Sequence, residues 1–106
     1  MIAPLNRVGD RHGTPFADGQ VTTPPGWREA YRTFTEGGWN GLSAEADHGG
    51  QGLPKLIEAA CTEMWNGANL AFGLCPLLTQ GGIEALAAHG SDDLKARYLE
   101  KLVSGA

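Results

Sequence analysis

Gly49-Gly50-Gln51-Gly52 offers the plainest chemical possibility in this sequence, because consecutive glycines can turn backbone N–H groups toward an anion ahead of a helix. A phosphate loop of that kind also needs a strand before it and a Gly-Lys-Ser/Thr after it, and the dinucleotide fingerprint has its own glycine spacing. None of these is present, so the run reads as a turn. His12, His48 and His89 stand apart, and no carboxylate lies at a metal-binding helical offset from any of them. Asp47 beside His48 is the one close acid pairing, and adjacent loop side chains need not converge. Ser43, Ser91 and Ser104 fall where turns or caps use a hydroxyl. Glu45, Asp47, Glu58 and Glu63 fall on loops or polar faces, where solvated carboxylates are expected. Cys61 and Cys75, the only cysteines, read as buried free thiols. The residue types predict neither a catalytic group nor a metal site within the chain.

The elements that position these residues are helices. At 106 residues the chain is sized for one domain with a modest core. A formal charge of -4, with its 8 Lys and Arg scattered, gives no basic footprint for nucleic acid. No apolar run is expected to reach the length of a membrane span and no secretory signal opens the chain, so a cytoplasmic protein with no membrane partner is expected.

Residues 1–22 carry Gly, Pro and Asp every few positions and read as an irregular segment, with Leu5, Val8, Phe16 and Val21 as isolated anchors. Residues 23–106 read as helical. Thr23-Pro24-Pro25-Gly26 predicts a helix start capped by Thr23, and Trp27, Ala30, Tyr31 and Phe34 form its apolar stripe until Gly37-Gly38 stops it. The glycine-rich stretch 37–54 then reads as a loop tucked against the core by Trp39, Leu42 and Leu53. Pro54 opens the strongest helix, with Ile57, Ala60, Cys61, Met64, Trp65 and Ala68 on one side and a break at Asn66-Gly67. The following stretch is nearly uncharged until Glu84, as a buried or cavity-walling helix would be, with Pro76 and Gly81-Gly82 as weak points. Ser91 caps the last helix, whose inward stripe is Leu94, Tyr98, Leu99 and Leu102. The fold class is all-α.

Gly38-Trp-Asn-Gly-Leu42, His48-Gly-Gly-Gln-Gly-Leu-Pro54, Glu63-Met-Trp65, Ala68-Asn-Leu-Ala-Phe-Gly73, and His89-Gly-Ser91 leading to Tyr98-Leu-Glu-Lys-Leu-Val-Ser-Gly105 occur in an order and spacing that resemble the N-terminal helical domain of the acyl-CoA dehydrogenase flavoenzymes. Together with Leu5-Asn6-Arg7-Val8-Gly9-Asp10, they are most similar to the bacterial branch that includes methylthiopropanoyl-CoA dehydrogenases. The resemblance implies a partial helical bundle from an enzyme that removes a proton and a hydride from the α and β carbons of an acyl-CoA thioester, the hydride going to FAD. It implies that Leu70, Phe72, Leu74, Pro76, Leu77 and Leu78 wall the acyl pocket. In the family a flavin-gripping β-domain and a C-terminal bundle carrying the catalytic glutamate follow this region. The chain therefore reads as part of a larger protein, with no catalytic residue of its own, no stable FAD site when alone, and apolar helix faces left to self-associate. The alternative is a free-standing helical binding or assembly module that has lost the chemistry; a stop codon after Ala106 with no flavin domain nearby would favour it.

Overall fold

Local apolar periodicity becomes helix along most of the chain in the computed structural model, which describes residues 1–106. The helices are α1 (Ala3–His12), α2 (Trp27–Glu36), α3 (Lys55–His89) and α4 (Asp92–Ser104). The only sheet is a hairpin of β1 (Phe16–Ala17) and β2 (Gln20–Val21), turned by Asp18 and Gly19, both at positive φ as such tight turns require. The fold is thus mostly helical, as expected.

The N-terminal segment departs from the irregular reading over Ala3–His12. Pro4 sits in the first turn, where its missing N–H is no loss, and Ile2 is buried in a cluster with Ala30, Phe34 and Phe72. Gly9 makes the docking close. A Cβ there would stand 2.7 Å from the Trp27 ring. Three or four apolar residues in ten are too few for a helix to be recognised alone, and contact with α2 and α3 supplies the rest.

α2 carries its stripe as the spacing predicts, but Thr23 does not cap it. Gly26, in the left-handed conformation, leads into Trp27, and no side chain caps the helix. The Phe34 ring meets the edges of Trp65 at 4.9 Å and Phe72 at 5.6 Å between centroids. Such aromatic pairs add about 0.5–1.5 kcal/mol each beyond the area they bury.

α3 is not a rod. Thirty-five residues of straight helix would run about 52 Å, beyond the 43 Å longest extent of the molecule. Lys55 bonds Glu84, 29 residues further along the same element. The chain reverses at Asn69, whose φ of -163° and ψ of 91° are extended, so limbs 55–68 and 70–89 lie side by side. Asn69 caps the second limb, its Oδ1 accepting the Phe72 N–H at 3.1 Å, while its Nδ2 donates to the Ile2 carbonyl at 3.2 Å. The break therefore falls at Asn69 and not at Asn66-Gly67. Pro76 and Gly81-Gly82 stay helical, with Phe72, Pro76 and Ile83 buried on one face of the second limb. By length and composition α3 would reach across a bilayer, contrary to the expectation that no run approaches that size. The reversal divides it into two shorter limbs.

Ser91 caps α4 as expected, its Oγ accepting the Leu94 N–H. The inward residues are Leu99, Leu102 and Val103, whereas Leu94 and Tyr98, expected inside, are exposed. The 37–54 loop is tucked in, pinned by Leu42 at 3% exposure and by Asn40, whose Nδ2 donates to the carbonyls of Leu102 at 2.7 Å and Val103 at 3.3 Å. Trp39 and Leu53, expected as pins, are partly exposed. Gly50 is required by close approach, since a Cβ there would lie 2.1 Å from the Ala44 carbonyl oxygen.

Candidate functional site

Two features remain once the core is assigned: an apolar strip on the outer side of the second limb of α3, and a polar cleft where the loop, both ends of α3 and α4 meet. Leu70, Leu74, Leu77 and Leu78 recur at i, i+4, i+7 and i+8, so one helical face presents all four, and all four are exposed, Leu78 at 81%. Phe72 and Pro76 are on the inner side. Phe72 lies among Trp27, Tyr31 and Phe34 at ring separations of 5.6–6.4 Å. The six candidate wall residues thus form an outer strip of four backed by a buried pair. None of the six lines the polar cleft.

The cleft encloses about 410 Å³. Ser43 and Glu45 come to it from the loop, Lys55 and Glu58 from the start of α3, Glu84 from its end. Ser43 Oγ donates to Glu58, and Lys55 Nζ donates to the same Glu58 oxygen at 2.9 Å and to Glu84. Partial burial opposes the charge on Lys55, but the hydrogen bonds from Glu84 and Glu58 and their attraction outweigh it, so the ammonium titrates above the usual lysine range. Lys55 is therefore a fixed cation at neutral pH. It clasps the two limbs of α3.

Glu58 was expected on a solvated face and is 8% exposed instead. Ser43, expected as a turn hydroxyl, serves this carboxylate; Ser104 bonds the Lys101 carbonyl at 3.1 Å. The pairing of Lys55 with Glu58 was available as an i, i+3 spacing at a helix start. The third member, Glu84, was not, because it joins only when the helix doubles back. Cys61 is half-buried and Cys75 exposed, against the expectation of buried thiols. No group of three His, Cys, Asp or Glu side chains converges closely enough to hold a metal ion.

Comparison with known proteins agrees with this architecture. Residues 8–106 match the family model of the acyl-CoA dehydrogenase N-terminal domain. The chain is 52% identical over 105 residues to the 3-methylmercaptopropionyl-CoA dehydrogenase of Ruegeria pomeroyi, a match that takes in 99% of this chain and 18% of that protein. It is 31% identical over 108 residues to a butyryl-CoA dehydrogenase of Syntrophomonas wolfei, again 99% of this chain and 18% of the relative. The chain thus spans less than a fifth of the length of these relatives, and the part it matches is the N-terminal helical one. The helices, their order and these matches together make the chain a member of the acyl-CoA dehydrogenase family, corresponding to its N-terminal domain.

Proposed function

We propose that this chain serves as the N-terminal helical portion of an FAD-dependent acyl-CoA dehydrogenase, where the Leu70, Leu74, Leu77 and Leu78 strip, backed by Phe72 and Pro76, walls the acyl pocket. The observation that carries the reading is the strip itself. Burying a fully exposed leucine gains about 1.5–3 kcal/mol. These four keep 44–81% of their surface in water, so together on one face they call for an apolar surface or acyl chain against them. The substrate class is an acyl-CoA thioester dehydrogenated between its α and β carbons. This chain contributes shape and exclusion of water; the catalytic base lies elsewhere in the larger protein.

FAD, when bound, accepts the hydride in this family. The polar cleft does not suit a flavin diphosphate, which needs free cations or N–H donors. The one lysine in the polar cleft is already shared by two carboxylates. The chain alone is therefore not expected to retain FAD or to turn over substrate. Its exposed leucines are expected to drive self-association, and a cytoplasmic setting is part of the same proposal, in keeping with two unpaired thiols.

The test is an exchange. This chain replaces the corresponding N-terminal region of the Ruegeria pomeroyi relative, and flavin content and acyl-CoA-dependent dye reduction are measured. The chimera is expected to hold flavin and to oxidise acyl-CoA, and Leu74→Asp with Leu77→Asp is expected to raise KM for the thioester while flavin is retained. A flavin-loaded chimera indifferent to those substitutions would sink the wall assignment. Stoichiometric FAD with turnover on the purified chain would sink the view that base and flavin site lie outside it.

A further inference from the structure

We propose that the polar cleft between the 37–54 loop and the two ends of α3 is a socket for a guanidinium group carried on an aliphatic stem, the chemistry of an arginine side chain. The inference does not depend on the acyl-wall reading, since it concerns the opposite kind of surface and none of the same residues.

Charge comes first. Glu45, Glu58 and Glu84 line the cleft with the ammonium of Lys55 and the imidazole of His48, so the carboxylates outnumber the basic groups with both in place. The acceptors left over are specific. Both bonds to Glu58 use its Oε2 and the one to Glu84 uses its Oε1, so each carboxylate keeps one oxygen without a partner in the chain. Glu45 makes no ion pair within the chain.

An independent observation comes from Asn40. It lines the same cleft at 2% exposure, its Nδ2 is committed to the Leu102 and Val103 carbonyls, and its Oδ1 is buried with no donor. A buried acceptor without a donor is rare in folded proteins and marks a place where an incoming N–H is wanted. The carboxylates do not converge tightly enough for a metal ion, so the cation that suits them is a larger one with several divergent N–H donors, which is what a guanidinium presents. Apart from His48 and Gln80, the remaining wall is apolar, with Ile83, Ala87, Leu99 and Val103 its larger part. That combination fits a side chain with a greasy stem and a charged tip.

The probes are N-acetylarginine amide for a guanidinium borne on polypeptide, agmatine for a free one, and n-butylurea as the neutral analogue. Each is titrated into the chain while amide and side-chain NMR shifts are followed. The two guanidinium probes are expected to shift the Asn40 side-chain amide and the backbone of Ser43 and Glu84, less so as salt is raised, and butylurea is not. Tighter binding of the capped arginine assigns the source to a polypeptide, and tighter binding of agmatine to a soluble amine; either supports the socket. Glu58→Gln is expected to weaken binding about tenfold, the scale of one charge-assisted hydrogen bond. Because Glu58 is buried, exposed Glu45→Lys provides a second variant that leaves packing untouched and is expected to weaken binding at least as much. Equal shifts from butylurea and agmatine, or unchanged affinity in Glu45→Lys with the fold intact by circular dichroism, would overturn the proposal.

Discussion

At the scale of single residues, two protons set how the fold responds to alkali. The Tyr31 hydroxyl donates to the Gly105 carbonyl at 3.1 Å, tying α2 to the end of α4, and burial, helped by the neighbouring Cys75 thiol, pushes the phenol above its usual range. Lys55 is raised as well, by Glu84 and Glu58 acting against its own desolvation. A group whose folded pKa exceeds its unfolded one stabilises fully below the unfolded value and loses that stabilisation as pH rises through the folded value. Both groups have unfolded values near 10, so stability is expected to be level from neutrality to about pH 9 and to fall beyond about pH 10. Urea midpoints across that range would check it. Tyr31→Phe is expected to lower stability at pH 7 by about 1 kcal/mol and to flatten the alkaline fall. An alkaline slope unchanged in that variant would remove Tyr31 from the account.

At the scale of the element, the reversal inside α3 depends on Asn69. Asn69→Ala removes both the cap on the second limb and the donor to Ile2, and is expected to cost about 2–3 kcal/mol in urea denaturation. Gly67 should answer in the opposite direction. It is helical, and a Cβ there meets nothing within 4 Å, so Gly67→Ala is expected to stabilise by about 0.5–1 kcal/mol. Destabilisation by Gly67→Ala would mean that the turn begins there after all. The pair of substitutions also locates what the sequence leaves ambiguous. Asn66, Gly67 and Asn69 are all plausible ends of a helix by residue type, and the carbonyl of Ile2, 67 positions away, is what distinguishes Asn69.

At the scale of the whole molecule, 15 of 106 residues are buried, and large apolar side chains remain outside on both limbs of α3, among them Leu56, Met64 and the four leucines of the strip. Exposed apolar area of this kind drives association. Leu74→Glu with Leu78→Glu is expected to shift the chain toward monomer by light scattering and to leave its melting temperature nearly unchanged, because neither side chain is in the core. A wild-type chain that is already a clean monomer would count against an apolar contact surface there. The sequence by itself determined the helical class, the aromatic stripe of α2, the Ser91 cap, the glycine-rich loop and the family resemblance, because each is written in short-range spacing or in an ordered string of residues. Tertiary structure alone decided the rest. The helix at Ala3–His12 exists through contacts with α2 and α3, and the burial of Glu58 beside Ser43 needs the loop to fold over it. The division of the six wall candidates into four outward and two inward, and the meeting of Lys55 with Glu84, follow from a reversal fixed by a hydrogen bond to the other end of the chain, which no local pattern encodes.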